Sequence, residues 1–122
     1  MNKQRPILKD LVNKNTTDLE KFQNLTIRPI IKMQHSILIV VFKEYLIKRK
    51  IDFNSSTEEK NKTKIKSIYA NDTSFKKFNL GLIIGHFTTE EYLEYNKNTS
   101  EFNRRILQII VQRLQDSLSD IL

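Results

Sequence analysis

The sequence predicts an all-α protein, a compact bundle of about five helices. One long central helix is expected near residues 27–49 and a long C-terminal helix near 99–119. Three observations predict it. Only two glycines and two prolines punctuate the 122 residues, and no segment alternates strictly between apolar and polar, so hairpin signals are scarce. Helix starts, in contrast, recur. Thr17 with Glu20, Ser56 with Glu59 and Thr88 with Glu91 match the capping box, and Asn98 with Glu101 is a looser version of it. Finally, the apolar residues of the last segment return at helical spacing.

Along the chain, the first helix is short, about 17–25. In "LTIRPIIKMQHSILIVVFKEYLIKRK" (25–50), Thr26 is placed to cap a new helix and Pro29 falls in its first turn, where a missing N–H costs little. Lys48, Arg49 and Lys50 suit its C-terminus, where the macrodipole favours cations. Residues 37–42, "ILIVVF", are apolar all round, which suits a helix lying between other elements or across an interface. A loop at 51–56 leads to a polar helix at about 57–69, contacting its neighbours through Ile65, Ile68 and Tyr69. Asp72 caps the next helix, 73–84, with Phe75, Phe78, Leu82 and Ile83 expected inward. A short helix at 89–96 follows. In the last helix Phe102, Ile106, Ile109, Ile110, Leu114 and Leu118 form one stripe. Arg105, Gln108, Gln112, Gln115 and Ser119 take the opposite face, and Glu101 pairs with Arg105 at i,i+4. The flanking Leu107, Val111 and Leu122 make this stripe wider than one neighbour needs.

A chain of this length supports a single helical domain over 1–122, with 1–16 a partly ordered N-terminal arm. Its hydrophobic fraction of 39% allows only a modest core, so association that covers a further apolar face would add stability. There is no cysteine, which removes disulfides and thiolate chemistry. The N-terminus lacks a signal-peptide apolar run and the longest such run, 37–42, is far too short for a bilayer, so a cytoplasmic protein without a membrane partner is expected. The net charge of +7 is unevenly placed, with 15 basic against 7 acidic residues in 1–70 and 6 against 7 in the remainder. A nucleic-acid partner would use Lys43, Lys48, Arg49, Lys50 and Lys60 to Lys66, but a lysine-rich composition alone produces the same excess, and that partner is not favoured.

The stretch "GLIIGHFTTEEY" (81–92) holds both glycines, one of two histidines and two adjacent glutamates. It reads as a junction: Gly85 in a left-handed helix stop, Thr88 as N-cap, Glu90 and Glu91 in the first turn, and Phe87 with Tyr92 as a hydrophobic staple. Gly81 and Gly85 also form a small-xxx-small pair. A helix-turn-helix reading fails, because Glu90, Glu91 and Glu94 would repel phosphates. No Gly-Lys-Ser/Thr loop, HExxH or HxxxH spacing occurs. His35 and His86 are therefore read as a core and a turn histidine, with no metal, cofactor-binding or catalytic role assigned.

The segments "EKFQNLTIRPIIKMQ" (20–34) and "FKKFNLGLIIGHFTTEEYLEY" (75–95) resemble a small bacterial family of uncharacterised helical proteins of about this length. Its marks are F-Q-N-x-T-x-R-P-I-x-K-x-Q and I-I-G-x-F-T-x-E-E-Y, and the likeness covers most of the chain. Some members carry a glyoxalase label. Metal-dependent glyoxalases place His and Glu on the strands of βαβββ modules, for which this chain has two histidines and almost no strand signal. The resemblance implies no catalytic residue. It directs attention to Phe22, Gln23, Asn24, Arg28, Pro29, Lys32 and Gln34.

Three functions follow in order of expectation. The first is a non-enzymatic protein-interaction module forming a homodimer, with Ile37, Val40 and Val41 at the interface. The second is a metal-dependent or acid–base enzyme using His35, His86 and acidic neighbours. The third is a basic nucleic-acid binder. Gln23, Asn24, Arg28, Lys32, Gln34, His35 and His86 are the candidates for a pocket or a structural polar cluster.

Overall fold

The computed structural model describes residues 4–6 and 17–122. The expected N-terminal arm, 1–16, therefore lies outside the described residues apart from 4–6. The described chain is all-α, built from α1 (Asp18–Phe22), a π segment (Gln23–Ile27), α2 (Arg28–Met33), α3 (His35–Lys48), α4 (Glu58–Asn71), α5 (Thr73–Ile84), α6 (Thr89–Asn96), α7 (Thr99–Asp116) and α8 (Leu118–Ile121). Thr17 Oγ1 caps α1 by accepting from the Glu20 N–H at 3.2 Å. Thr88 and Glu91 close a complete capping box on α6. Asp72 Oδ1 caps α5 by accepting from the Phe75 N–H at 3.0 Å.

The long helix expected over 27–49 is not one helix. Helical structure runs from Asp18 to Met33, then bends by 62° before His35–Lys48. Thr26 does not cap a helix; it is buried inside the π segment. The reason lies in Pro29, which has no N–H for the carbonyl four residues back and a ring that crowds it. Widening the turn before it lets the Arg28 N–H reach Gln23 O instead. The bend falls at Gln34, whose backbone (φ −91°, ψ 9°) leaves the helical well. Its buried side chain turns inward, and Nε2 donates to the carbonyl of Leu82 at 3.2 Å.

That bond completes the C-terminus of α5. The other carbonyls of its last turn accept from the N–H groups of Gly85, His86 and Phe87 at 3.0–3.1 Å. Gly85 is not left-handed, as expected from the glycine alone; its φ is −59°. Its missing side chain matters for another reason, since a β-carbon there would sit 3.0 Å from the Gly81 carbonyl oxygen. The left-handed residue is instead Lys50, with φ 55°. It ends α3 in a Schellman motif, with Ile51 N–H donating to Leu46 O at 2.9 Å and Lys50 N–H to Ile47 O at 3.2 Å. The cap of α4 is Thr57 rather than Ser56, accepting from the Lys60 N–H at 3.2 Å.

Helix α7 forms the centre of the core. Its Phe102, Ile106, Ile110 and Leu114, spaced by four, are fully buried. α2, α4, α5, α6 and the π segment all pack on it, so the centre of its stripe is covered within the chain, while Leu107, Ile109 and Val111 are half-buried and Leu122 is exposed. Two aromatic clusters fill the two ends of the core. Phe22 lies 4.6 Å from Phe102 and 5.6 Å from Phe87, which meets Tyr95 at 5.6 Å. Phe42 stands 5.8 Å from Phe53 and 6.2 Å from Tyr69, while Tyr45 and Phe75 meet at 4.3 Å. The buried Tyr69 hydroxyl donates to Asn79 Oδ1 at 3.0 Å, and burial raises the phenol far above its ordinary range. Among the described residues no single helix is long and apolar enough to cross a membrane.

Candidate functional site

Two surface features stand out. The first is the outer face of α3. Its inward residues, Leu38, Ile39, Phe42 and Leu46, are buried, and Val41 is half-buried. On the other side Ile37 is 37%, Val40 55% and Ile47 74% exposed. On α5, which meets α3 through Phe75 and Tyr45, Phe78, expected in the core, is 54% exposed, while the polar Asn79 takes the inward position. Glu44, Lys43 and Lys48 border this stripe, and none of them forms an ion pair among the described residues.

The second feature is a cleft of about 450 Å³ between the π segment and one flank of α7. Gln23 and Arg28 form one wall; Arg105, Gln108, Gln112, Arg113 and Asp116 form the other. On α7 these residues recur every three or four positions, so one polar face brings two guanidinium groups into the cleft. Arg105 Nη1 donates to Gln23 Oε1 at 3.0 Å and its Nε to Glu101 Oε1 at 2.9 Å. Arg104 shares that glutamate, and hydrogen bonds from the two guanidiniums hold the Glu101 carboxyl down at about 2. Arg28 Nε donates to Asn24 Oδ1 at 3.2 Å. Arg113 Nη1 lies 3.3 Å from His35 Nδ1. An arginine only donates, so Nδ1 is the acceptor in this contact, and the other ring nitrogen, Nε2, faces Asp120 Oδ2 at 3.6 Å.

The proposed polar cluster thus separates into parts. Gln23 and Arg28 line the cleft, Asn24 orients Arg28, and His35 orients Arg113. Lys32 is exposed and Gln34 serves α5. His86 belongs to the opposite junction, where its carbonyl accepts from Arg5 Nη2 at 2.7 Å. Arg5 Nη1 also reaches Glu91 Oε2 at 2.6 Å, and Thr26 donates weakly to the same oxygen at 3.4 Å. His35 and His86 therefore serve different sites, and among the described residues no three of His, Asp and Glu gather in a group fit to hold a metal.

Arg105, Gln108, Gln112, Arg113 and Asp116 were missed as site residues because a polar helix face reads as a solvated one. The available signal was two arginines on the face that also carries three glutamines, at 105, 108, 112, 113 and 115. The basic segment, meanwhile, makes local partners. Arg49 pairs with Asp72 at 3.3 Å and lies over the Tyr45 ring, and Lys64 donates to Ser56 Oγ at 2.8 Å. No family model, curated protein or solved structure matches the chain.

Proposed function

We propose that this protein is a non-enzymatic interaction module that works in the cytoplasm as a symmetric homodimer, docked through the outer face of α3 with the help of Phe78. The observation that carries the reading is the exposure of Ile37, Val40, Ile47 and Phe78 on two adjoining helices. Their burial would be favourable at roughly 25 cal/mol per Å² of apolar surface. A second copy is the fitting occupant because the border of the stripe carries both signs of charge, Glu44 against Lys43 and Lys48, none with an ion-pair partner among the described residues. A two-fold contact presents the same patch from both sides, so such a surface complements itself. The likeness to an uncharacterised bacterial helical family is part of this proposal and adds no activity to it.

The enzyme reading requires His35, His86 and carboxylates in one concave site, and the separation of the two histidines argues against it. The test of the dimer is light scattering coupled to sizing at micromolar concentration. The expected mass is twice the 14.5 kDa of the chain, and Val40→Asp should return it to the monomer. A wild-type chain that stays monomeric at high concentration overturns the proposal.

A further inference from the structure

We propose that the cleft between the π segment and α7 binds a small phosphate-bearing molecule, gripped by Arg28, Arg105 and Arg113. Charge is the first argument. Three guanidinium groups line the cleft against the single carboxylate of Asp116. Of the three, only Arg105 has a carboxylate partner among the described residues, Glu101, and it shares that partner with Arg104. Arg28 and Arg113 have no carboxylate within ion-pair range among the described residues. Like charges converging without counter-charge repel, and a surface free to choose would spread them.

Hydrogen bonding is the second. Arg113 Nε is buried with no partner among the described residues. Its Nη1 meets His35, so Nη2 is the terminal nitrogen without a protein partner among the described residues, and a guanidinium N–H is suited to an oxyanion. Arg28 spends Nε on Asn24 and leaves its two terminal nitrogens without a protein partner among the described residues. Both arginines are thus oriented through one nitrogen by a neighbouring side chain, with the rest of the guanidinium left for a ligand. A buried donor without a partner is costly and rare, which makes a purely structural role for Arg113 a poor explanation.

The chemistry narrows the ligand. The lining carries two positive charges beyond Asp116, and a phosphomonoester carries about −1.5 to −2 near neutral pH. A monocarboxylate would leave one charge unmatched. The exposed Gln108 and the half-buried Ile109 offer an amide and an apolar surface for the organic part. The volume of about 450 Å³ suits a sugar phosphate rather than a free ion. The cleft is lined by α7, the π segment and the first residue of α2, and it touches α3 only through His35, not through Ile37, Val40 or Ile47, so its test is separate from that of the dimer.

The test is calorimetry and thermal melting of the full chain with ribose 5-phosphate, inorganic phosphate and succinate at fixed ionic strength. Ribose 5-phosphate should bind once per chain and raise the melting temperature more than inorganic phosphate does. Arg28→Gln should weaken it by about tenfold or more, in the range of a lost charge-assisted pair. Gln108→Glu adds a carboxylate at an exposed position among the arginines, so it should weaken binding likewise while the unliganded melting temperature does not fall. Succinate binding more tightly than both phosphates would overturn the phosphate assignment. Absence of saturable binding at millimolar ligand, or equal binding by wild type and Gln108→Glu, would overturn the site.

Discussion

The Gln34 side chain donates to the carbonyl of Leu82 at 3.2 Å, and this one bond couples the 62° bend after α2 to the end of α5. Each side needs the other. The bend lets a buried amide turn away from its own helix, and the α5 terminus needs a donor for a carbonyl that no backbone N–H of the following turn reaches among the described residues.

Replacing Gln34 by Leu keeps the volume but removes the donor, leaving the Leu82 carbonyl stranded. The expected cost is about 1–3 kcal/mol, the usual cost of a buried unpaired polar group. Urea unfolding of the variant against the wild type measures it. An unchanged midpoint would show that the bend does not depend on this bond.

Lys50 is held at φ 55°, a conformation that disfavours any residue with a β-carbon. Lys50→Gly should relieve about 1 kcal/mol of that cost, less the greater freedom glycine gains in the unfolded chain. A modest rise in melting temperature is expected. A fall would mean that the lysine side chain makes a contribution larger than the backbone strain.

Acid should weaken the fold through its carboxylates. Burial raises the Glu91 carboxyl, but hydrogen bonds from Arg5, the Thr88 N–H and Thr26, together with the Arg5 charge, outweigh it and lower the net value. Asp72 is lowered mainly by the Phe75 N–H and the Tyr45 hydroxyl, and Glu101 to about 2 by Arg104 and Arg105. Each binds its proton more weakly when folded. The stability they contribute is therefore full above the unfolded carboxyl range, near 4, and is lost as pH falls through the lower folded values. Melting temperature should decline from about pH 5 downward, and Glu91→Gln should flatten part of the slope. An identical slope in the variant would remove Glu91 from the account.

Most helix boundaries were legible because caps and periodicity are local. Thr17, Asp72 and Thr88 mark their helices in sequence and in space, and the four-residue spacing of Phe102, Ile106, Ile110 and Leu114 fixes the face of α7. The break at Gln34 was not legible, since no glycine or proline stands at it and the carbonyl its side chain meets there is 48 residues away. Gly85 pointed to a left-handed turn by type, whereas Lys50, which nothing marks, adopts one. Phe78 was expected inward but is exposed, and the buried Asn79 beside it accepts from the buried Tyr69 hydroxyl, a pairing that apolar spacing does not announce. In the cleft, Gln23 and Arg28 came from a motif, while Arg105 and Arg113 join them only through the packing of α7 on the π segment.

The central claim is that two copies meet through the outer face of α3, and a distance between the two copies tests it most directly. The chain has no cysteine, so Ser36→Cys, at an exposed position beside Ile37 and Val40, introduces a single thiol for a spin label. Pulsed dipolar spectroscopy should give one short, narrow inter-label distance, which disappears when Val40→Asp is added. A long distance would place the contact elsewhere on the molecule, and no dipolar coupling at high protein concentration would contradict the dimer itself.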